Sequence, residues 1–309
     1  MPPESENPLR SLTAANVVVV AGKGGVGKTT VTAVIARAAA RSGLRVLVIE
    51  LDGKPALAEL LPERDGQSLS VVHLSAPDAL EEYLNDHGFR RIAKRLNRTG
   101  VIDMIGTAAP GIDDVVVLGK VKQFERSGDY DLIVVDGPAA GHAVTFLMSA
   151  AGLGDAVRGG PIKSQADDVL ELLADSERCM AVLVTLPETT PVNETIETAY
   201  ALEDDVGIRL GPVVVNEVDA GVELPDPAET EALLAVGELD EQTAGVLRDA
   251  AEFRRARRGV EREALDRLAD RLALGQRRIR SLPVAGLDGA AIDLLATELV
   301  LDDSDANST

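Results

Sequence analysis

The chain has no tryptophan, and only 2% of its 309 residues are aromatic. Its core must therefore be built from Val, Leu, Ile and Ala, which suits parallel strands buried on both faces. Cysteine is nearly absent too: Cys179 stands alone, so no internal disulfide can form. It lies just before the apolar run Met180–Thr185, where a buried structural thiol is expected. Basic residues are in deficit, with 31 Lys and Arg against 51 Asp and Glu, for a formal charge of −20. That balance disfavours a nucleic-acid surface, which needs a basic patch, and electrostatic adsorption to anionic lipid. It suits solubility or a salt-adapted host. No apolar run approaches the length of a membrane span. The acidic opening, Met1-Pro-Pro-Glu-Ser-Glu6, does not read as a signal peptide, so the expected compartment is the cytoplasm. What is present is a 45% hydrophobic content, enough for one large α/β domain or two smaller ones.

One stretch organises the rest. Val17-Val-Val-Val-Ala-Gly22 reads as a fully buried strand, and Val31–Ala40 as a helix. Between them, Gly22-Lys23-Gly24-Gly25-Val26-Gly27-Lys28-Thr29 has the form G-x-x-x-x-G-K-T, a phosphate-binding loop. The glycines let the backbone curl closely round a phosphate chain without Cβ clashes. The amides of Gly24, Gly25, Val26, Gly27, Lys28, Thr29 and Thr30 can then point inward, aided by the positive end of the helix dipole. Lys28 is placed to reach the β- and γ-phosphates of ATP, and the Thr29 hydroxyl to ligate Mg²⁺.

Further strands are expected over Arg45–Glu50, Leu69–Leu74, Tyr130–Val135, Met180–Thr185 and Gly211–Val215. Ligands sit at the carboxyl ends of strands in an open parallel sheet, which favours Asp52 as a site residue; a turn or N-cap aspartate is the alternative. Asp136 ends a buried strand before Gly137, where an acid can serve the Mg²⁺ shell opposite Thr29 and the glycine can let the loop move. His142 is read as a hydrogen-bonding residue of that loop, because phosphoryl transfer rests on positioning more than on proton abstraction. Asn216 can read an adenine edge or simply close a turn. His73 and His87 show no ligand spacing.

Residues 1–14 read as a disordered arm, 15–301 as a single domain, and 302–309 as an acidic tail. The excursions at about 76–127 and 145–178 are too long for plain crossovers and are expected to form a helical subdomain. Its apolar positions, among them Val115–Leu118, Leu147 and Met148, read as that subdomain's own core, with a groove for a client as the alternative. Residues 223–240 look like a surface excursion, 239–280 like a long amphipathic helix or a broken pair, and 282–286 like a short strand or loop. The run Arg254-Arg-Ala-Arg-Arg258 reads as a solvated helix face.

The loop K-G-G-V-G-K-T-T resembles the signature-lysine variant found in ATPases that dimerise face to face. Four further stretches resemble the ArsA/GET-type ATPases: Leu51-Asp52-Gly-Lys-Pro-Ala56 (switch I), Asp136-Gly-Pro-Ala-Ala-Gly141-His142 (switch II), Pro110-Gly-Ile-Asp-Asp114 in the helical excursion, and Val213-Val-Val-Asn216 with Leu282-Pro-Val-Ala-Gly286. The resemblance spans residues 17 to about 299. It implies that Asp52 orients the attacking water, that Lys23 acts across a dimer interface, that Asp136 stands in the Mg²⁺ shell, and that Asn216 and Pro283 hold adenine. It departs in three respects. A lone cysteine cannot form the arsenical pump's metalloid site, and there is no C-x-x-C pair to clamp zinc. Switch I also carries Gly53-Lys54 inserted in its pattern.

The expectation is therefore an α/β fold, a doubly wound, mostly parallel P-loop NTPase sheet with an inserted helical subdomain. Its activity would be Mg²⁺-dependent ATP hydrolysis by a homodimer, or by a heterodimer with a paralogue, coupled to an unidentified protein or membrane-linked client. The compartment would be cytoplasmic, peripheral to a membrane only through a partner. Two alternatives stay open: an ATP-binding regulatory partner that barely hydrolyses, and a Min/Par-type positioning ATPase, which the charge disfavours. A nitrogenase-reductase-like role fails on the cysteine count.

Overall fold

The structure, a computed structural model, describes residues 8–51, 56–63, 68–88, 111–237 and 239–301. Its centre is a parallel sheet. Strand β1 (Val17–Gly22) lies between β4 (Leu132–Ala139) and β5 (Cys179–Thr185). Outside β4 come β2 (Val46–Leu51) and then β3 (Leu69–Leu74); outside β5 come β7 (Val213–Val218) and β8 (Gln276–Arg280), with the two-residue β6 (Arg209–Leu210) also on β5. All of these pairings are parallel. The valine-rich runs form the inner strands because helices cover both faces, so neither face needs polar side chains. Register sets the site: Val20 of β1 and Glu50 of β2 both pair with Asp136 of β4, which brings two acids level with the start of the loop after β1.

The helices are α1 (Pro8–Leu12), α2 (Lys28–Arg41), α3 (Leu57–Leu60), α4 (Ala76–Asp86), α5 (Ile112–Ser127), α6 (Ala140–Ala156), α7 (Pro161–Ala174), α8 (Thr189–Ala201), α9 (Pro227–Val236), α10 (Glu241–Arg271) and α11 (Gly289–Leu301). Alternation along β1 divides the core. Val18 and Val20 join the cluster under α1, α2, α3 and α11, whereas Val17, Val19 and Ala21 join the one under α4 to α8 and the end of α10. Every residue from Val31 to Ala40 of α2 is buried, between the sheet and α11. Its small Ala side chains permit that close contact. Arg37 of α2 is itself buried, paired with Asp293 of α11 at 3.3 Å and donating to the Pro62 carbonyl at 3.0 Å.

Several expectations change. The arm expected at 1–14 is helical over Pro8–Leu12, and Leu9 and Leu12 are buried in the α2/α11 cluster. Short apolar spacing within a polar terminus hid that contact. The helical excursions do form helices, and most of their described apolar residues belong to one cluster with the sheet; Met148 stays exposed. Val115 to Leu118, Leu147, Leu172 and Leu173 are buried in it, as expected of that region's own core. Residues 89–110 lie outside the described residues. Near the carboxyl terminus, 241–271 is one unbroken helix, 282–286 is the loop of its two readings, and Gln276–Arg280 is a strand within the stretch expected to be helical. That edge strand buries Ile279 but otherwise carries polar side chains, so it has no apolar signal. The arginine run turns inward: Arg254 and Arg258 both pair with Asp219.

Candidate functional site

The loop after β1 is shaped by its glycines and braced from two sides. A Cβ at Gly22 would lie 2.4 Å from the Val184 carbonyl, so only glycine lets β1 approach β5 there. Gly25 and Gly27 have φ of +87° and +86°, a left-handed backbone that glycine adopts without strain. Gly27 is the N-cap of α2 and no side chain caps that end, which leaves first-turn amides for a ligand. Asn216, buried within β7, donates its amide Nδ2 to the Val26 carbonyl at 3.0 Å. Lys28 donates to the Lys23 carbonyl at 3.3 Å. Burial lowers the Lys28 ammonium's pKa, and the charge of Asp136 works against that shift.

Thr29, Thr32 and Asp136 form the polar floor. Thr29 Oγ1 donates to Asp136 Oδ2 at 2.7 Å, and Thr32 Oγ1 to Oδ1 at 3.2 Å. Burial pushes the Asp136 carboxyl up; the two threonine hydrogen bonds and Lys28 oppose this, and Glu50 adds to it. Above the floor is a cleft of about 570 Å³, lined by Lys28, Thr29, Asp136, Gly137, Pro138 and His142, with Asp113 and Asp114 from α5. That volume suits a small-molecule site. The donor set is hard oxygens beside one ammonium and uncapped amides, which matches a polyphosphate with Mg²⁺. Among the described residues, no group of three or more His, Cys, Asp and Glu could cage a metal by itself. Mg²⁺ does not need such a cage, since it is usually held by one or two side chains plus phosphate.

Other expected residues are distributed unevenly. Lys23 is not in the cleft wall; it pairs with Glu194 of α8 at 2.5 Å, and both side chains are partly exposed. Gly24 and Gly25 are exposed at the loop tip, Val26 is buried beneath it, and Thr30 lies in the first turn of α2. Pro283 is exposed in the segment after β8. Asp52, with Gly53, Lys54 and Pro55, lies outside the described residues. Gly137 has a packing reason as well: a Cβ there would lie 2.5 Å from the Val20 carbonyl, so the β4–β1 contact demands glycine. His142 stands exposed in the first turn of α6, at the cleft. Cys179 is buried as expected, its thiol pushed up to about 12 by burial.

Glu50 is a site residue that sequence reasoning missed. Its buried Oε1 accepts from the amides of Ala56 at 2.8 Å and Leu57 at 3.2 Å, and its Oε2 is 3.8 Å from His73 Nδ1. Glu50 thus ties the end of β2 to the start of α3. The available signal was an acid inside the apolar run Val46-Leu-Val-Ile-Glu-Leu51.

Comparisons with known proteins agree with this geometry. The family described as "Anion-transporting ATPase" matches residues 15–158. The ATPase BagA of Mycobacterium tuberculosis is 34% identical over 271 residues, covering 78% of each chain. A Halobacterium salinarum protein named as a candidate arsenical pump-driving ATPase is 31% identical over 223 residues, covering 63% of this chain and 34% of its own. An Aquifex aeolicus protein of the same candidate description is 26% identical over 261 residues, covering 72% of this chain and 84% of its own. With its parallel sheet and phosphate-binding loop, the chain belongs to the anion-transporting (ArsA-type) ATPase family and is an ATP-hydrolysing enzyme.

Proposed function

We propose that the chain hydrolyses ATP with Mg²⁺ as a dimer and couples its nucleotide state to a protein or membrane-linked client. The observation that carries this reading is the Thr29–Asp136 pair beside Lys28, at the mouth of the uncapped helix α2. Loop amides and Lys28 would hold the phosphates. Mg²⁺, held by Thr29 and by Asp136 through its water shell, would neutralise charge on the phosphate oxygens. A phosphate chain beside Lys28 would oppose the burial effect on its ammonium and keep it charged. Asp52 would orient the water that attacks the γ-phosphorus as the bond to ADP breaks, and Glu50 would hold the segment that presents it. Asn216 braces the loop and, with Pro283, would border the adenine.

Lys23 would act on the partner's phosphates, as an arginine finger does. To do so it must leave Glu194. Exposed ion pairs of this kind contribute only about 0.2–1 kcal/mol, so exchange for a phosphate is favourable. Asp113 and Asp114 bring α5 into the cleft wall, a direct route from nucleotide state to the helical layer. The cytoplasm remains the expected compartment, and among the described residues no helix is long and apolar enough to cross a membrane.

Complementation tests the reading. Lys23→Ala and Lys28→Ala chains should each be inactive alone. Mixed, they should regain turnover, because one site of each mixed dimer combines an intact Lys28 with the partner's intact Lys23. Absence of rescue, with mixed dimers present, would refute the action in trans. A regulatory partner with little hydrolysis is the second reading, favoured by the Gly53-Lys54 insertion. ATP binding without turnover by the wild-type chain would select it.

A further inference from the structure

Helix α10 carries an exposed seam that the site does not use. Val246, Phe253 and Val260 recur every seven residues and are 64%, 71% and 48% exposed. Large apolar side chains held in water at this spacing mark an interaction surface rather than a solvated face. The seam is about 21 Å long at 1.5 Å per residue. Its orientation is fixed from behind. Arg254 is bidentate to Asp219 at 2.7 and 2.8 Å, Arg258 donates to the Gly221 carbonyl at 2.5 Å, and Arg255 donates to the Pro225 carbonyl at 3.1 Å. These arginines hold α10 to the segment after β7 and leave the seam facing outward.

The pattern reads the same in both directions about Phe253. Val246 and Val260 stand seven residues away on either side, Ala250 and Ala256 three, and Asp249 and Arg257 four. Asp249 and Arg257 are both exposed. Two antiparallel copies of α10 related by a twofold axis at Phe253 would bring Val246 level with the other copy's Val260. The same operation brings Asp249 level with the other copy's Arg257, an opposite charge, at both ends of the contact. The small Ala250 and Ala256 permit close approach. A twofold contact uses the same patch on both subunits, which requires such self-complementarity, whereas an unrelated partner has no need of it.

We propose that α10 is a self-association surface on which a second copy of this chain docks antiparallel, centred on Phe253. The contact goes beyond the nucleotide-driven dimer of the proposed function and does not depend on it. Pairing is expected without nucleotide.

Sedimentation equilibrium of the full chain in EDTA, free of nucleotide, tests this directly. The wild-type chain should show a monomer–dimer equilibrium. Phe253→Glu should weaken it by roughly 30-fold or more, as loss of a central aromatic anchor does. Asp249→Arg and Arg257→Asp should each weaken it, and the double variant should regain affinity above either single one. Unchanged helical circular dichroism would show that the variants fold. A wild-type chain that stays monomeric, a Phe253→Glu dimer as tight as wild type, or a double variant no tighter than the singles would overturn the proposal. The absence of nucleotide keeps these outcomes separate from any failure of Lys23 to act in trans.

Discussion

Gly27→Ala should disable the phosphate-binding loop by two separable effects, and the structure gives the size of each. Gly27 has φ +86° and ψ +32°, a left-handed conformation that costs an L-residue about 1–2 kcal/mol. The added Cβ would also fall 2.2 Å from Asn216 Nδ2. Asn216 would have to withdraw, and the Val26 carbonyl would lose its 3.0 Å hydrogen bond. Leaving that buried group unpaired costs a further ~1–3 kcal/mol, so the single variant should lose about 2–5 kcal/mol in urea denaturation. Asn216→Ala alone should lose only the hydrogen-bond part, about 1–3 kcal/mol. The double variant should be no worse than Gly27→Ala, because the same hydrogen bond is lost once. The coupling free energy should therefore be about 1–3 kcal/mol. ATP affinity should fall in all three variants, since the loop amides lose their brace. Additive stabilities, or a Gly27→Ala chain within about 0.5 kcal/mol of wild type, would refute the contact between Asn216 and the loop.

Three further outcomes are expected. Glu50→Ala frees the amides of Ala56 and Leu57, so kcat should fall about tenfold to a hundredfold, while KM for ATP stays within about twofold in steady-state assays. Arg37→Met removes the partner of Asp293 between α2 and α11 and should cost about 3 kcal/mol by urea titration, the lower end for a broken buried pair because Asp293 keeps some solvent. Asp131, hydrogen-bonded by the Arg45 side chain and amide, has its carboxyl lowered from the ordinary 3.8 to about 2. Its stabilising contribution should be complete above pH 3.8 and be lost as pH falls through about 2, a loss that Asp131→Asn should not show in acid-unfolding curves.

The parts legible in sequence were those governed by local pattern. The valine runs at 17–20 and 213–215 became inner strands because burial on both faces removes any need for polar alternation. The loop itself was legible because phosphate geometry fixes residue types at fixed spacing. Asp136 was legible as a strand-ending acid opposite Thr29, although 107 residues separate the two; their direct hydrogen bond was not. What stayed hidden depends on contacts between distant segments. Glu50 looks like a strand residue until Ala56 folds back onto it. Gly137 is explained by the Val20 carbonyl on the next strand rather than by its neighbours in sequence. Strand β8 carries arginines on an edge, and helix α1 is short and terminal, so neither has a strong periodic signal. The Lys23–Glu194 pair joins residues 171 positions apart and has no sequence signature.

Steady-state phosphate release by the purified chain, with ATP and Mg²⁺ and with Lys28→Ala as the blank, tests the central claim most directly. The account predicts turnover above the blank that is lost in EDTA and rises per chain as protein concentration increases. Turnover no greater than that of Lys28→Ala at any concentration, from a chain that binds ATP, would contradict it.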